Sequence, residues 1–128
     1  MSVRLTAATL PAYRTKALAL QGGGCALCGE HVAPGEAVAD HDHTTGVIRG
    51  VLHRGCNAML GHIENNRPRH KLTNIARLSK FLGAVVEYLY RKRPDDTPLY
   101  PSHRSADEKR ELRNKRARKA RTAIKKGA

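Results

Sequence analysis

Two short ligand pairs constrain this chain more than any other feature. Cys25-x-x-Cys28 is followed, after 24 intervening residues, by His53-x-x-Cys56. Thiolates and a neutral imidazole at that spacing can meet tetrahedrally around Zn²⁺, the arrangement a structural zinc requires. A single CxxC is weak evidence, whereas a second knuckle, with Gly29 following the first and Gly55 inside the second, makes the signal specific. His31, three residues after Cys28, competes for the fourth position, and His53 is preferred because it restores the symmetry of two knuckles. Composition says why a staple is needed. The chain has 128 residues, no Trp, one Phe and four Tyr, so its core is small. Three cysteines cannot all pair within one chain, which argues against a disulfide framework. No apolar run approaches the roughly 20 residues that cross a bilayer, and the first residues lack the apolar segment of a signal peptide. The expectation is a small α+β domain stapled by zinc, with no membrane partner.

Charge points to a polyanion. Lys and Arg number 24 against 11 acidic residues, a net charge of +13. The excess is uneven: residues 101–128 carry 11 basic and 3 acidic residues, residues 1–100 carry 13 and 8. Between Pro94 and Pro101 three prolines fall in eight residues and interrupt regular structure. The reading divides the chain into a domain over 1–93, a proline-rich linker over 94–101 and a basic arm over 102–128, disordered or weakly helical until it meets a phosphate backbone. Arg113, Lys115, Arg116, Arg118, Lys119 and Arg121 are its candidate phosphate contacts. A merely solvated tail explains the charge density of this arm but not its sign.

Within the domain, a helix is expected from about Leu10 to Gln21, capped by Thr9, burying Leu10, Tyr13, Ala17 and Leu20 and stopped by Gly22-Gly23-Gly24. Short strands over Val38–His43 and Val47–Leu52 flank the turn Thr44-Thr45-Gly46. A short helix follows from Gly55 or Cys56 to Glu64. The clearest periodicity lies in 72–91, where Ile75, Leu78, Leu82, Val85 and Leu89 form one helical stripe, widened by Phe81, Val86 and Tyr88. That stripe fits either the domain's own core or a second copy of the chain.

Between the knuckles stands Asp40-His41-Asp42-His43, and Asn57 follows the last cysteine. Carboxylates and imidazoles alternating on a hairpin need partners, a metal or water. A hard cation such as Mg²⁺ takes oxygen ligands, so one Asp and one Asn suffice, and an imidazole can take a proton from water near neutral pH. These residues carry a resemblance. Gln21 to Gly29 (QGGGCALCG), then DHDH, then Thr45-Gly46 and Arg49-Gly50-Val51-Leu52, then Cys56-Asn57-Ala58 and Gly61, resemble the phage recombination endonuclease VII family of His-Me finger (HNH-like) nucleases over about residues 10–65.

The resemblance implies a ββα-metal core within about 22–65, with flanking helices and the basic arm. It implies Mg²⁺ on Asp40 and Asn57, for which Mn²⁺ can substitute, His41 as general base and His43 beside the scissile phosphate. Zinc would sit on Cys25, Cys28, His53 and Cys56. Two departures stand out. The family commonly has Cys where this chain has His53, a change that keeps a ligand. The family's best-known members also have an acid three positions after the Asn, where this chain has Leu60, so any role of that acid is absent here or supplied by another group such as Glu64. Arg49 is expected to contact a phosphate or to pair with Asp42 or Glu36. The activity implied is an endodeoxyribonuclease that leaves 5′-phosphates and resolves branched DNA such as four-way junctions in phage recombination or packaging, acting as a homodimer in the cytoplasm of a bacterial host. The alternatives are a less selective HNH nicking enzyme and a zinc-ribbon DNA-binding protein without catalysis.

Overall fold

Four helices and one two-stranded sheet account for the regular structure in the computed structural model, which describes residues 3–127. In chain order these are α1 (Leu10–Leu20), β1 (Ala37–His41), β2 (Ile48–His53), α2 (Arg54–Asn66), α3 (Ile75–Tyr90) and α4 (Ala106–Gly127), with a single 3₁₀ turn over Pro34–Glu36. The described residues divide into two compact units, with the break after Val85.

The first unit is built around its hairpin. β1 and β2 pair antiparallel, Ala37 opposite His53 and Asp40 opposite Gly50. The register then slips, so that His41 faces Ile48 and Arg49 is the extra residue of a β-bulge. Asp42 fastens the turn by accepting hydrogen bonds from the backbone N–H groups of Thr44 and Thr45 at 2.8 and 2.9 Å. The strands are offset from the expected spans because the bulge and this side-chain-held turn use up residues 42–47.

α1 packs on the hairpin through Ala17 and Leu18. Tyr13 and Leu20, expected on its buried face, are 42% and 81% exposed. Six of the helix's eleven residues are Leu or Ala besides its one Tyr and one Pro, so its pattern leaves the buried face to be chosen by contact with the sheet. The helix starts at Leu10 as expected, but the Thr9 side chain does not cap it and turns back to Thr6 instead. Thr6 Oγ1 accepts from the N–H of Thr9 at 3.2 Å and Thr9 Oγ1 from that of Thr6 at 2.8 Å, a reciprocal pairing in the manner of a capping box.

The glycines after α1 turn the chain into the first knuckle. Gly22 and Gly23 have φ of 71° and 79°, and a Cβ on Gly24 would lie 2.7 Å from the carbonyl oxygen of Gly29. The chain can then return on itself, with Cys25 N–H bonded to Glu30 O at 2.8 Å. Gln21 ties this return to the sheet. Its amide accepts from Val51 N–H at 2.8 Å and donates to the carbonyls of Val51 and Gly24, both at 2.9 Å. With Ala26 N–H on the same Val51 carbonyl, it supplies the free edge of β2 with the partners that a third strand would give.

The core is Cys25, Val32, Ala37, Val51 and Leu52, with Ala17, Leu18, Cys56 and Leu60 packed on it. Five buried apolar residues form a small core for a domain of this length, in keeping with an expected metal staple.

α3 starts at Ile75 rather than 72, because Asn74 Oδ1 caps it by accepting from Arg77 N–H at 3.0 Å. Ile75, Phe81 and Leu82 of its apolar stripe are exposed. In the second unit, the arm expected to lack stable structure is a helix of 22 residues. The cause is local. Ser105 N–H donates to Glu108 Oε2 at 2.6 Å, and Glu108 N–H donates to Ser105 Oγ at 3.2 Å. Asp107 and Glu108 sit at the positive end of the dipole, and Lys125 and Lys126 at the negative end. No helix among the described residues is long and apolar enough to cross a membrane.

Candidate metal centre and catalytic hairpin

The two knuckles meet. The ligand atoms of Cys25, Cys28, His53 and Cys56 all lie within 4.8 Å of one another, and the three cysteines are free thiols. Each knuckle has its own origin. The first is the glycine-turned loop after α1, and the second is the junction where β2 runs without a loop into α2, so that His53 ends the strand and Cys56 lies in the first helical turn. His53 directs Nδ1 at the sulfurs, 3.3 Å from Cys28 Sγ and 3.9 Å from Cys56 Sγ. Its other nitrogen, Nε2, donates to the backbone carbonyl of His31 at 2.8 Å. This outer hydrogen bond fixes the tautomer that leaves the Nδ1 lone pair free for a metal. His31 therefore contributes its carbonyl behind the ligand set, and His53 is the fourth member.

Without a metal the group holds protons. Burial raises the Cys25 thiol, but the backbone N–H groups of Cys28, Leu27 and His53 outweigh it and bring the pKa down to about 6. Hydrogen bonding to the Cys28 sulfur holds Cys56 up at about 11. His53 rises to about 9 through the His31 carbonyl and the cysteine sulfurs. Sulfurs crowded this closely share protons in place of metal, and Zn²⁺ would displace them. Four N/S donors in tetrahedral reach can hold a structural zinc.

The DHDH segment lies at the end of β1 and in the turn after it. Asp40 is 7% exposed, whereas His41 and His43 are exposed, with ring centroids 4.9 Å apart. Asp42, facing the turn, serves the backbone of Thr44 and Thr45. Arg49 corrects the expectation of a partner in Asp42 or Glu36. Its Nε donates to Asp40 Oδ2 at 2.7 Å and its Nη2 to Asp40 Oδ1 at 3.0 Å, while the same Nη2 donates to Glu64 Oε1 at 2.6 Å. The bulge is the reason, since the extra residue at position 49 re-aims the guanidinium across the hairpin. The hydrogen bonds from Arg49 hold the Asp40 carboxyl below its ordinary range against the opposing effect of burial, and the two carboxylates hold the Arg49 guanidinium up.

α2 brings its own residues to this edge. Asn57, Leu60 and Glu64 stand at i, i+3 and i+7, one face of the helix. Leu60 packs on the core, and Asn57 is half-buried. Leu60, where the resemblance would place an acid, is thus an apolar contact, and a carboxylate reaches the hairpin one turn later, from Glu64. The i, i+7 relation of Asn57 and Glu64 is the sequence signal for this. Gln21, which holds the hairpin edge, carries no such signal because its partner lies 30 residues away. Arg113, Lys115, Arg116, Arg118, Lys119 and Arg121 are all exposed on α4, in the second unit.

A search among curated proteins finds no matching relative. The family model for recombination endonuclease VII matches residues 2–90, which span α1, both knuckles, the hairpin, α2 and α3. The chain belongs to the recombination endonuclease VII family.

Proposed function

We propose that the chain is a Mg²⁺-dependent endonuclease that cuts branched DNA, with the hairpin and α2 acting as a ββα-metal core. One observation carries this reading: a nine-tenths-buried Asp40 beside an exposed His41, on a hairpin whose base holds a Cys₃His cluster.

The donors at the hairpin fit a hard divalent cation, since Asp40 and Glu64 turn carboxylate oxygens to one point and Asn57 adds an amide on the same helix face. Asp40 and Asn57 would hold the ion. When bound, Mg²⁺ would neutralise charge building on the phosphate and stabilise the leaving 3′-oxygen. His41, exposed and joined to no carboxylate in the described hydrogen bonds, takes the proton of a water that attacks phosphorus in line. His43, against the ring of His41, stands beside the scissile phosphate and donates to its oxygens. The phosphate stays with the 5′ end and the 3′-oxygen leaves as a hydroxyl.

Domain roles follow the same reading: nuclease over 1–93, linker over 94–101 and DNA-binding arm over 102–128. The exposed α3 stripe is assigned to a second copy of the chain, because paired incisions at a branch need two active sites related by a two-fold axis. The setting that fits is the cytoplasm of a phage-infected bacterium. Incubation of the zinc-loaded protein with Mg²⁺ on a four-way junction and on a linear duplex of the same sequence tests the proposal. Paired 5′-phosphate nicks at the branch are expected. Equal nicking of both substrates would move the assignment to an unselective nicking enzyme.

A further inference from the structure

The Arg49 guanidinium occupies an unusual position for a cation. A single nitrogen, Nη2, touches Asp40 Oδ1 at 3.0 Å and Glu64 Oε1 at 2.6 Å, and Nε closes a second bond to Asp40. The three residues come from β1, β2 and α2, so the contact depends on the whole hairpin–helix unit and on the bulge at Arg49. Asp40 is buried and Glu64 half-buried, while the Arg49 side chain keeps 36% of its surface exposed. Asp40 is thus held in place, while Arg49 and, at 29% exposed, Glu64 both border solvent, so the positive member can swing out without opening the core. Two carboxylates that converge on one point with the arginine removed repel each other and attract any hard cation.

We propose that Arg49 stands in for the divalent ion: a cation reaching Asp40 displaces the guanidinium, and Glu64 then belongs to the same cation position. Arg49 is thus a positioning residue that holds both carboxylates ready and sets a threshold for metal. Once released, it is a mobile positive charge at the edge of the site, of the kind that meets a phosphate oxygen. This rests on the proposed nuclease reading for the identity of the ion, but the competition itself is a property of the three side chains.

The test is Mn²⁺ binding to zinc-loaded protein, measured by electron paramagnetic resonance, with zinc content and far-UV circular dichroism as checks of folding. Arg49→Gln is expected to bind Mn²⁺ at least ten-fold more tightly than wild type. Without divalent ions it should melt at a lower temperature than wild type, and Mn²⁺ should restore the loss. Arg49→Lys, which keeps the charge but cannot bridge both carboxylates with a fork, should fall between the two and serves if the glutamine variant does not fold. Adding Glu64→Gln to Arg49→Gln should weaken Mn²⁺ binding at least ten-fold. An Arg49→Gln protein that binds Mn²⁺ no more tightly than wild type overturns the competition, and a double variant equal to the single one removes Glu64 from the site. Cleavage is scored separately. A wild type that cuts DNA while the binding pattern fails refutes only this inference, whereas the binding pattern without cleavage of any DNA refutes the nuclease reading.

Discussion

Replacing Gln21 by Ala removes three hydrogen bonds at once and tests the claim that this side chain completes the sheet. Val51 is fully buried, and its N–H points away from β1 onto Gln21 Oε1 at 2.8 Å. Its carbonyl keeps a second donor in Ala26 N–H, at 3.1 Å, so the amide N–H of Val51 is the group left unpaired. An unsatisfied buried donor costs about 1–3 kcal/mol, and loss of the bond to the Gly24 carbonyl adds about 1 kcal/mol. The expected loss is about 2–4 kcal/mol. For a domain of this size that corresponds to a melting temperature lower by roughly 10–25 °C. The assay is urea unfolding of zinc-saturated wild type, Gln21→Ala and Gln21→Glu, followed by circular dichroism. Gln21→Glu keeps an acceptor for Val51 N–H but sets a carboxylate against two carbonyls, so it too should destabilise. A Gln21→Ala protein within about 0.5 kcal/mol of wild type would refute the reasoning, for it would mean that water or backbone movement satisfies Val51 at little cost.

Zinc removal should unfold the nuclease domain, because five buried apolar residues cannot hold it alone. Elemental analysis should give one zinc per chain, Cys25→Ser should lose both metal and fold, and His53→Cys should keep both, as its ligand position stays filled. Deleting residues 102–128 should weaken binding to every DNA shape alike and flatten the dependence of affinity on salt, since the shortened chain neutralises fewer phosphates and releases fewer counterions. Unchanged binding would make α4 a solvated helix. Leu82→Glu, on the exposed α3 stripe, should sediment as a monomer that still nicks DNA but no longer makes paired incisions.

The candidate metal centre is legible in the chain because both halves of it are local. Cys25-x-x-Cys28 and His53-x-x-Cys56 each close within one turn, and the hairpin between them follows from Thr44-Thr45-Gly46. The features that sequence alone does not reveal depend on partners far apart in the chain. Arg49 pairs with Asp40 and Glu64 only because the register slips at the bulge, and no periodicity marks a bulge. The face that α1 buries is not legible either, because alanine and leucine occur all round it and the hairpin decides between Leu18 and Leu20. In α4, the density of like charges masks the Ser105–Glu108 cap and the ordering of acids before bases, which favour a helix without tertiary support.

The central claim is that His41 performs metal-dependent phosphodiester cleavage from a scaffold that zinc holds folded. Its most direct test compares wild type and His41→Ala on one end-labelled four-way junction in Mg²⁺, after both proteins are shown to carry equal zinc and to bind the junction with equal affinity. His41 is exposed at the end of β1 and takes no part in the core, so the substitution should leave folding intact. Loss of cleavage by roughly a hundred-fold or more, in line with the usual contribution of a general base, is the predicted result. Cleavage by His41→Ala at close to the wild-type rate would contradict the account.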